Sequence, residues 1–177
     1  MSKQIFESQQ VRHEKKPHVA FNSGNNEWYT PKEIIEAARE VMGEIDLDPA
    51  SSELANQIVR AEKFYTINSD GLTKDWHGRI WLNPPYARGM VEKFIDKLID
   101  SEFEQAIVLV NNATDTKWFS RLADSANVIV FPRGRVKFST PDGSKGSPLQ
   151  GQAIVYIGDN GVKFREVFEK FGWAAEV

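Results

Sequence analysis

The sequence contains no cysteine. Disulfides, thiolate metal sites and cysteine nucleophiles are therefore excluded from its chemistry. Its three histidines, His13, His18 and His77, are scattered, and none sits in a tight cluster with carboxylates. A metal site is accordingly not expected. Long apolar runs are also absent, and nothing approaches the roughly 20 residues that a membrane span requires. The opening stretch, MSKQIFESQQVRHEKK, is polar and mixed in charge, unlike a signal peptide. Neither sign of charge dominates: 22 Lys and Arg stand against 25 Asp and Glu, for a net charge of −3. That balance argues against an extended basic coat for nucleic acid and leaves room for a local patch. The stretch from Phe131 to Pro148 holds Arg133, Arg135, Lys137 and Lys145 against one acid, Asp142, and on charge alone it reads either as such a patch or as a solvated loop with a chance excess of charge.

What is present fits one domain. The 177 residues, 41% of them hydrophobic, suffice for a sizeable core. Residues 1–26 lack sustained periodicity and read as a flexible arm, which leaves 27–177 as a single domain. Thr30-Pro31-Lys32-Glu33 reads as a helix start, with a capping hydroxyl, a proline at the first helical position and a glutamate that closes a capping box. Ile34, Ile35, Ala37, Ala38, Val41 and Met42 follow at helical spacing, and Gly43 ends the run. A short strand is expected over 44–47, then a short helix capped by Ser51 or Ser52 and running to about 59. Residues 63–74 look like a loop. Strands are expected over 79–82, 106–110 and 127–131, alternating with helices over 90–99 and 116–123. Residues 136–139 and 153–157 read as two antiparallel strands, and 163–171 as a closing helix. This alternation predicts an α/β fold, with a mostly parallel sheet and an antiparallel edge.

The segment with the most chemical content is Ile80-Trp81-Leu82-Asn83-Pro84-Pro85-Tyr86. Two adjacent prolines forbid a helix and cannot continue a central strand, so they fix a stiff corner at the strand's carboxyl end. In open α/β sheets, ligands bind at that end. With average residue usage, Asn-Pro-Pro-Tyr arises by chance on the order of once per thousand chains of this length; the alternative, a rigid structural turn, also has to explain the strand before it. The corner presents an amide, a proline carbonyl and an aromatic ring in fixed order. Those groups suit methylation of an adenine N6 amine, a poor nucleophile because its lone pair is delocalised into the ring. The Asn83 side-chain oxygen and the Pro84 carbonyl can accept from its two N–H groups. An amine paired in a duplex must first be extruded, and Tyr86 is placed to stack on the extruded base.

The chain resembles the phage-type DNA N6-adenine methyltransferases, the small Dam-like family of phages and prophages. The resemblance covers about residues 26–160. It rests on Glu27-Trp28-Tyr29-Thr30-Pro31, Leu47-Asp48-Pro49-Ala50-Ser51 with Ala55-Asn56, Asp70-Gly71-Leu72, Trp76 and Trp81-Leu82-Asn83-Pro84-Pro85-Tyr86. Thr114, Trp118-Phe119 and Arg133-Gly134-Arg135-Val136-Lys137-Phe138 continue it in order. It implies a reduced Rossmann-like fold that uses S-adenosylmethionine, and it implies roles. Asn83, Pro84, Pro85 and Tyr86 look like the catalytic motif. Trp28, Tyr29, Thr30 and Pro31 look like a cofactor motif at a helix start, suited to the donor's carboxylate. Asp48, with Pro49, Ala50 and Ser51, looks like the acidic turn beside the donor's amino-acid part, and Asp70 like the carboxylate that accepts from its adenine amine. Phe138 resembles a later aromatic that stacks on the flipped base from its other face. Arg133, Arg135 and Lys137 are candidates for DNA contact.

Two features depart from larger methyltransferases. Ser51, Ser52 and Glu53 stand where a glycine-rich cofactor loop would be, and the acid for the ribose hydroxyls is open among Asp70, Asp46 and Glu62. No separate target-recognition domain fits the length, so site-specific or relaxed recognition of DNA falls to loops. The resemblance implies an enzyme of the cytoplasm of a bacterial or phage-infected cell, of the kind found with restriction-modification. Other readings stay open: an amino-group methyltransferase acting on cytosine N4, RNA or a protein glutamine, or a non-catalytic nucleic-acid-binding relative. Asparagine at position 83, rather than serine or aspartate, favours adenine or glutamine by resemblance.

Overall fold

Alternation decides the layering. In the computed structural model, which describes residues 29–139, 145–146 and 149–177, the apolar strand expected near residue 106 becomes the middle of a seven-stranded sheet. In chain order the elements begin with α1 (Lys32–Met42), β1 (Leu47–Asp48), α2 (Glu53–Val59), β2 (Lys63–Phe64) and β3 (Arg79–Leu82). Next come α3 (Met90–Ile99), β4 (Gln105–Asn111), α4 (Lys117–Asp124) and β5 (Val128–Pro132). Last come β6 (Phe138–Ser139), β7 (Lys145–Gly146), β8 (Gln152–Ile157), α5 (Gly161–Phe168) and β9 (Gly172–Glu176). Along β4, Ile107 and Leu109 enter a core with α1 and α5, whereas Ala106, Val108 and Val110 enter a second core with α3 and α4. Successive side chains on a strand point to opposite faces, so one run of buried residues supplies both layers. The proposed arm over residues 1–26 and Trp28 lie outside the described residues.

The sheet order is β2-β1-β3-β4-β8-β5-β9. β1 to β4 are joined in parallel, β8 runs antiparallel between β4 and β5, and β9 closes the far edge antiparallel to β5. Five strands therefore share one direction, as the α/β pattern predicts. The expected antiparallel edge is only half the picture, because β8 sits inside the sheet. Residues 136–139 and 153–157 do not pair with each other. β8 pairs with β4 and β5, while β6 pairs with β7 and bridges to Tyr29. β9, unforeseen in the sequence, is an edge strand whose exposed Trp173 stacks on Phe131 at 4.6 Å. The reduction of the fold lies between β2 and β3, where only a 3-10 turn, Gly71–Thr73, intervenes.

Local signals set most element ends. The Gly43 N–H donates to Arg39 O at 2.7 Å with φ of 87°, a conformation that costs glycine little, and α1 stops there. Ser52 caps α2, its hydroxyl accepting from Ala55 N at 3.2 Å, and Thr116 caps α4. The capping box expected at Thr30 does not form. Pro31 occupies the cap position with no side-chain cap, and α1 begins at Lys32. The Thr30 hydroxyl is turned elsewhere, with a consequence for the site below.

An ion pair pins the amino ends of β1 and β3. Arg79 donates through Nε to Asp46 Oδ2 at 2.7 Å and through Nη2 to Oδ1 at 2.6 Å, and its backbone N–H also donates to Oδ2. The Arg79 hydrogen bonds hold the Asp46 carboxyl below its ordinary pKa. Replacing Asp46→Asn is expected to cost roughly 1–3 kcal/mol at pH 7. A carboxylate with a depressed folded-state pKa stabilises above its unfolded value, and that stability is lost as pH falls through the folded one. Urea melts of the two proteins should therefore converge as pH drops below about 4; a gap unchanged down to about pH 3 would show that charge is not what the pair contributes.

Candidate functional site

Three parallel strands end on the same side of the sheet, and their carboxyl ends form a cleft of about 410 Å³. Asp48 ends β1, and Pro49, Ala50 and Ser51 turn away from it. Tyr65 and Thr66 follow β2. Asn83, Pro84, Pro85 and Tyr86 follow β3. All of these line the cleft, joined by Tyr29 and Thr30 ahead of α1 and by Asp70. Residues far apart in sequence thus meet because parallel strands with crossover helices expose every carboxyl end on one rim. Pro31 sits half-buried at the cap of α1 and does not line the cleft.

The corner after β3 is held by its side chains. The Asn83 amide nitrogen donates to Thr30 Oγ1 at 3.4 Å, which explains why Thr30 leaves α1 uncapped. The Tyr86 hydroxyl lies 3.2 Å from Asn83 Oδ1, 3.3 Å from Leu109 O and 3.0 Å from Gln152 Oε1. Burial pushes its pKa upward, so it remains a neutral donor. The hydroxyl is thus anchored inside the protein, while the side chain forms part of the cleft wall.

The turn after β1 compensates for its lack of glycine. Asp48 Oδ1 accepts from Ala50 N at 3.2 Å, and Ser52 caps the next helix, so the chain reverses without a glycine-rich loop. The close approach falls instead to Gly71, where a Cβ would lie 2.1 Å from Pro49 O. Asp48 is only 3% exposed. Burial pushes its carboxyl up to about 6, a rise that Ser51 and the Ala50 N–H only partly oppose. Among the described residues, Ser51 Oγ is buried without a hydrogen bond of good geometry, although it lies near enough to Asp48 to favour the charged form. Of the acids open for a ribose, Asp70 lines the cleft, its Oδ1 accepting from Leu72 N. Asp46 is committed to Arg79, and Glu62 is exposed elsewhere.

The basic segment leaves the carboxyl end of β5, on the same rim of the sheet. Arg133, Arg135 and Lys137 are exposed, and Val136 and Phe138 are buried. The segment then docks on the cleft wall, because Tyr29 and Ser139 exchange backbone hydrogen bonds at 2.8 and 3.0 Å. Phe138 differs from expectation. It is 1% exposed and packs in the core with α1, so its ring does not line the cleft. The alternation that turns Arg135 and Lys137 outward is what turns Phe138 inward.

Sequence reading missed Gln152 and Asn111. Gln152 is 2% exposed, pairs in register with Asn111 across β8 and β4, and donates to Asn111 Oδ1 at 2.6 Å. The available signal was a pair of amide side chains at the ends of two otherwise apolar strands. Among the described residues no group of three or more His, Asp or Glu side chains converges as a metal site.

Similarity to known proteins follows the same stretch of chain. The family model described as DNA N-6-adenine-methyltransferase (Dam) matches residues 19–157. A curated DNA N-6-adenine-methyltransferase of Escherichia phage T1 is 35% identical over 109 residues. That match takes in 59% of this chain and 43% of the phage protein, so the chain spans less than half of that relative's length. A structure described as a class I S-adenosylmethionine-dependent methyltransferase from Listeria monocytogenes has a TM-score of 0.43 at 12% identity, covering 74% of this chain and 61% of that one. A Thermoplasma acidophilum protein has a TM-score of 0.36 at 13% identity, covering 60% of each.

The raised Asp48 carboxyl has a measurable consequence. The folded chain holds this proton more tightly than the unfolded chain, so its contribution to stability is present below the ordinary carboxylate pKa and is lost as pH rises through about 6. Asp48→Asn, which never ionises, should melt above the parent protein at about pH 8, with the two converging below about pH 4. A lower melting temperature for the variant under the alkaline condition would show that the ionised carboxylate is stabilised in the ligand-free cleft.

Proposed function

The chain belongs to the DNA N-6-adenine-methyltransferase (Dam) family, and on that premise we propose that it methylates N6 of adenine in DNA, using S-adenosylmethionine and a base turned out of the stack. One observation carries the reading. The rigid corner of Asn83, Pro84, Pro85 and Tyr86 opens on a cleft with an amide, a proline carbonyl and an anchored tyrosine side by side.

The cleft has groups suited to the donor. Its volume of about 410 Å³ lies within the usual range for cofactor sites. The buried Ser51 Oγ and Asp48 carboxyl, with Pro49 and Ala50 between them, suit the polar amino-acid end. Tyr29, Thr30 and Pro31 lead into the amino terminus of α1, where first-turn N–H groups and the helix dipole favour a carboxylate; Trp28, which precedes them, is assigned to the same motif. Asp70 suits the donor's adenine amine. When bound, S-adenosylmethionine supplies an electrophilic methyl group on a sulfonium.

The protein's part is positioning. Asn83 Oδ1 and the Pro84 carbonyl accept from the two N–H groups of the target amine. This holds the nitrogen in place and stabilises the positive charge that develops there as the new N–C bond forms. With the donor bound, its S–CH3 bond would break as the N–C bond forms, leaving a neutral thioether, and the methylated nitrogen, now cationic and acidic, would pass one N–H proton along its hydrogen bond to Asn83 or Pro84 and on to water, so no strong base is needed in the corner. Thr30 fixes which way the Asn83 amide points. Tyr86 stacks on the extruded base, its ring kept from swinging by the buried hydroxyl. Arg133, Arg135 and Lys137 contact the phosphates on the same rim, and recognition of sequence, specific or relaxed, falls to this segment and its neighbouring loops.

Incubation with labelled S-adenosylmethionine and DNA, then digestion to nucleosides, tests the reading. N6-methyladenine is the expected product, reduced at least about a hundredfold by Asn83→Ala. Tyr86→Ala should slow transfer strongly with cofactor affinity unchanged; equal loss of both would contradict a role on the base. Labelled N4-methylcytosine, RNA or protein would select another acceptor, and DNA binding without cofactor binding would indicate a non-catalytic relative.

The basic segment makes a separate prediction. Replacing Arg135 and Lys137 by alanine should weaken DNA binding and flatten the plot of log affinity against log salt, by about one unit for each phosphate no longer neutralised. An unaltered slope would remove these residues from the DNA interface.

A further inference from the structure

Arg88 follows Tyr86 by two residues and is exposed, and among the described residues it makes no ion pair. Two residues of backbone span roughly 7 Å at most, so this cation stands next to the corner that would receive the base. Gly89 then enters the left-handed region at φ of 75° and sets off α3, with nothing within 4 Å of where its Cβ would lie. The glycine thus permits a sharp turn, and Arg88 stays outside the helix beside open space. Further along α3, Glu92 and Lys93 are both exposed and offset one another in charge.

The two faces of the sheet add a second point. Met90, Val91 and Phe94, which follow Arg88, pack on the face that carries α3 and α4. Val136 and Phe138, which alternate with Arg135 and Lys137, pack on the opposite face with α1 and α5. The cleft opens on the rim between, lined by Met90 and Phe94 from the first face and by Ile58 and Val59 from the second. Cations therefore flank it on both faces. Turning a nucleotide out of a duplex rotates its backbone between the two adjoining phosphates, and holding the strand on either side favours that rotation.

We infer that Arg88 contacts the substrate: its guanidinium takes a phosphate of the strand that carries the extruded adenine, on the opposite flank of the cleft from Arg135 and Lys137. A planar guanidinium pairs with two phosphate oxygens at once, which orients the strand as well as attracting it. The inference rests on the proposed methylation of DNA and adds a contact that the basic segment after β5, lying over the other face, does not supply.

Binding of a DNA duplex is measured against salt, beside binding of S-adenosylhomocysteine as a probe of the donor site. Arg88→Ala should weaken DNA binding about threefold to tenfold and lower the slope of log affinity against log salt by about one, with S-adenosylhomocysteine affinity unchanged. Arg88→Lys, which keeps the charge and loses the fork, should keep the slope and recover part of the affinity. The loss should add to that from replacing Arg135 and Lys137, because different phosphates are involved. Neutral methylphosphonates placed in turn around an adenine that the protein methylates should locate the contact: the parent protein loses affinity at one phosphate to which Arg88→Ala is indifferent. An unaltered salt slope, or no phosphate whose neutralisation the variant ignores, would overturn the inference. So would an equal loss of S-adenosylhomocysteine affinity, the sign of a disturbed corner. A parent protein that binds DNA yet forms no methylated adenine would overturn the functional reading instead, and the salt slope would still decide whether Arg88 meets a phosphate.

Discussion

Two adjacent prolines at the end of β3 are the constraint on which the site depends. They cannot continue the ladder, so the strand must stop at Leu82, beside the ends of β1 and β2. Stopping there leaves backbone oxygen and side chains on the rim rather than in the sheet. The Arg79–Asp46 pair at the other end of β1 and β3 fixes the register, so that Asp48 and Asn83 come out together. A corner of this kind would be of little use if it moved. Thr30 from ahead of α1, Leu109 on β4 and Gln152 on β8 each hold part of it.

The site is built at some expense to stability. Asp48 is buried where its charge is poorly solvated, Ser51 buries a hydroxyl beside it, and Gln152 and Asn111 place polar groups where apolar ones would pack more simply. Each is a departure from what the core alone would select. Such departures cluster where a ligand is to be met, because a group already desolvated and oriented loses less when the ligand arrives. The remainder of the sheet, with long apolar strands covered on both faces, supplies the stability that tolerates them.

The basic segment and the cleft are linked through one short piece of backbone. The basic segment after β5 would remain a surface feature were it not tied to Tyr29 by the bridge at Ser139. Tyr29 is followed by Thr30, and Thr30 meets Asn83. A continuous path therefore runs from the exposed cations to the Asn83 corner. A chain with net charge of −3 need not carry an extended basic coat if its few effective cations sit on the rim where the cleft opens.

Much of this was legible in the chain itself. Alternating apolar strands and amphipathic helices specified an α/β fold, because burial of one face demands the matching period. Gly43, Ser52 and Thr116 marked element ends through local chemistry. The two prolines announced a rigid strand end, and Asn83 and Tyr86 beside them do line the cleft that opens there. What the sequence could not decide was anything set by partners distant along the chain. Thr30 reads locally as a helix cap, yet its hydroxyl meets Asn83, 53 positions away, in preference to its own helix. Phe138 reads as a ligand aromatic, yet the pairing of β6 turns it into the core. Gly71 stands outside the loop it serves, and its necessity appears only where Pro49 comes against it. Gln152 and Asn111 become a pair only because β8 inserts antiparallel between β4 and β5. Local propensity and periodicity act over a few residues and survive in the sequence; hydrogen-bond partnership and close approach depend on which strands become neighbours, and that was settled by packing of the whole sheet.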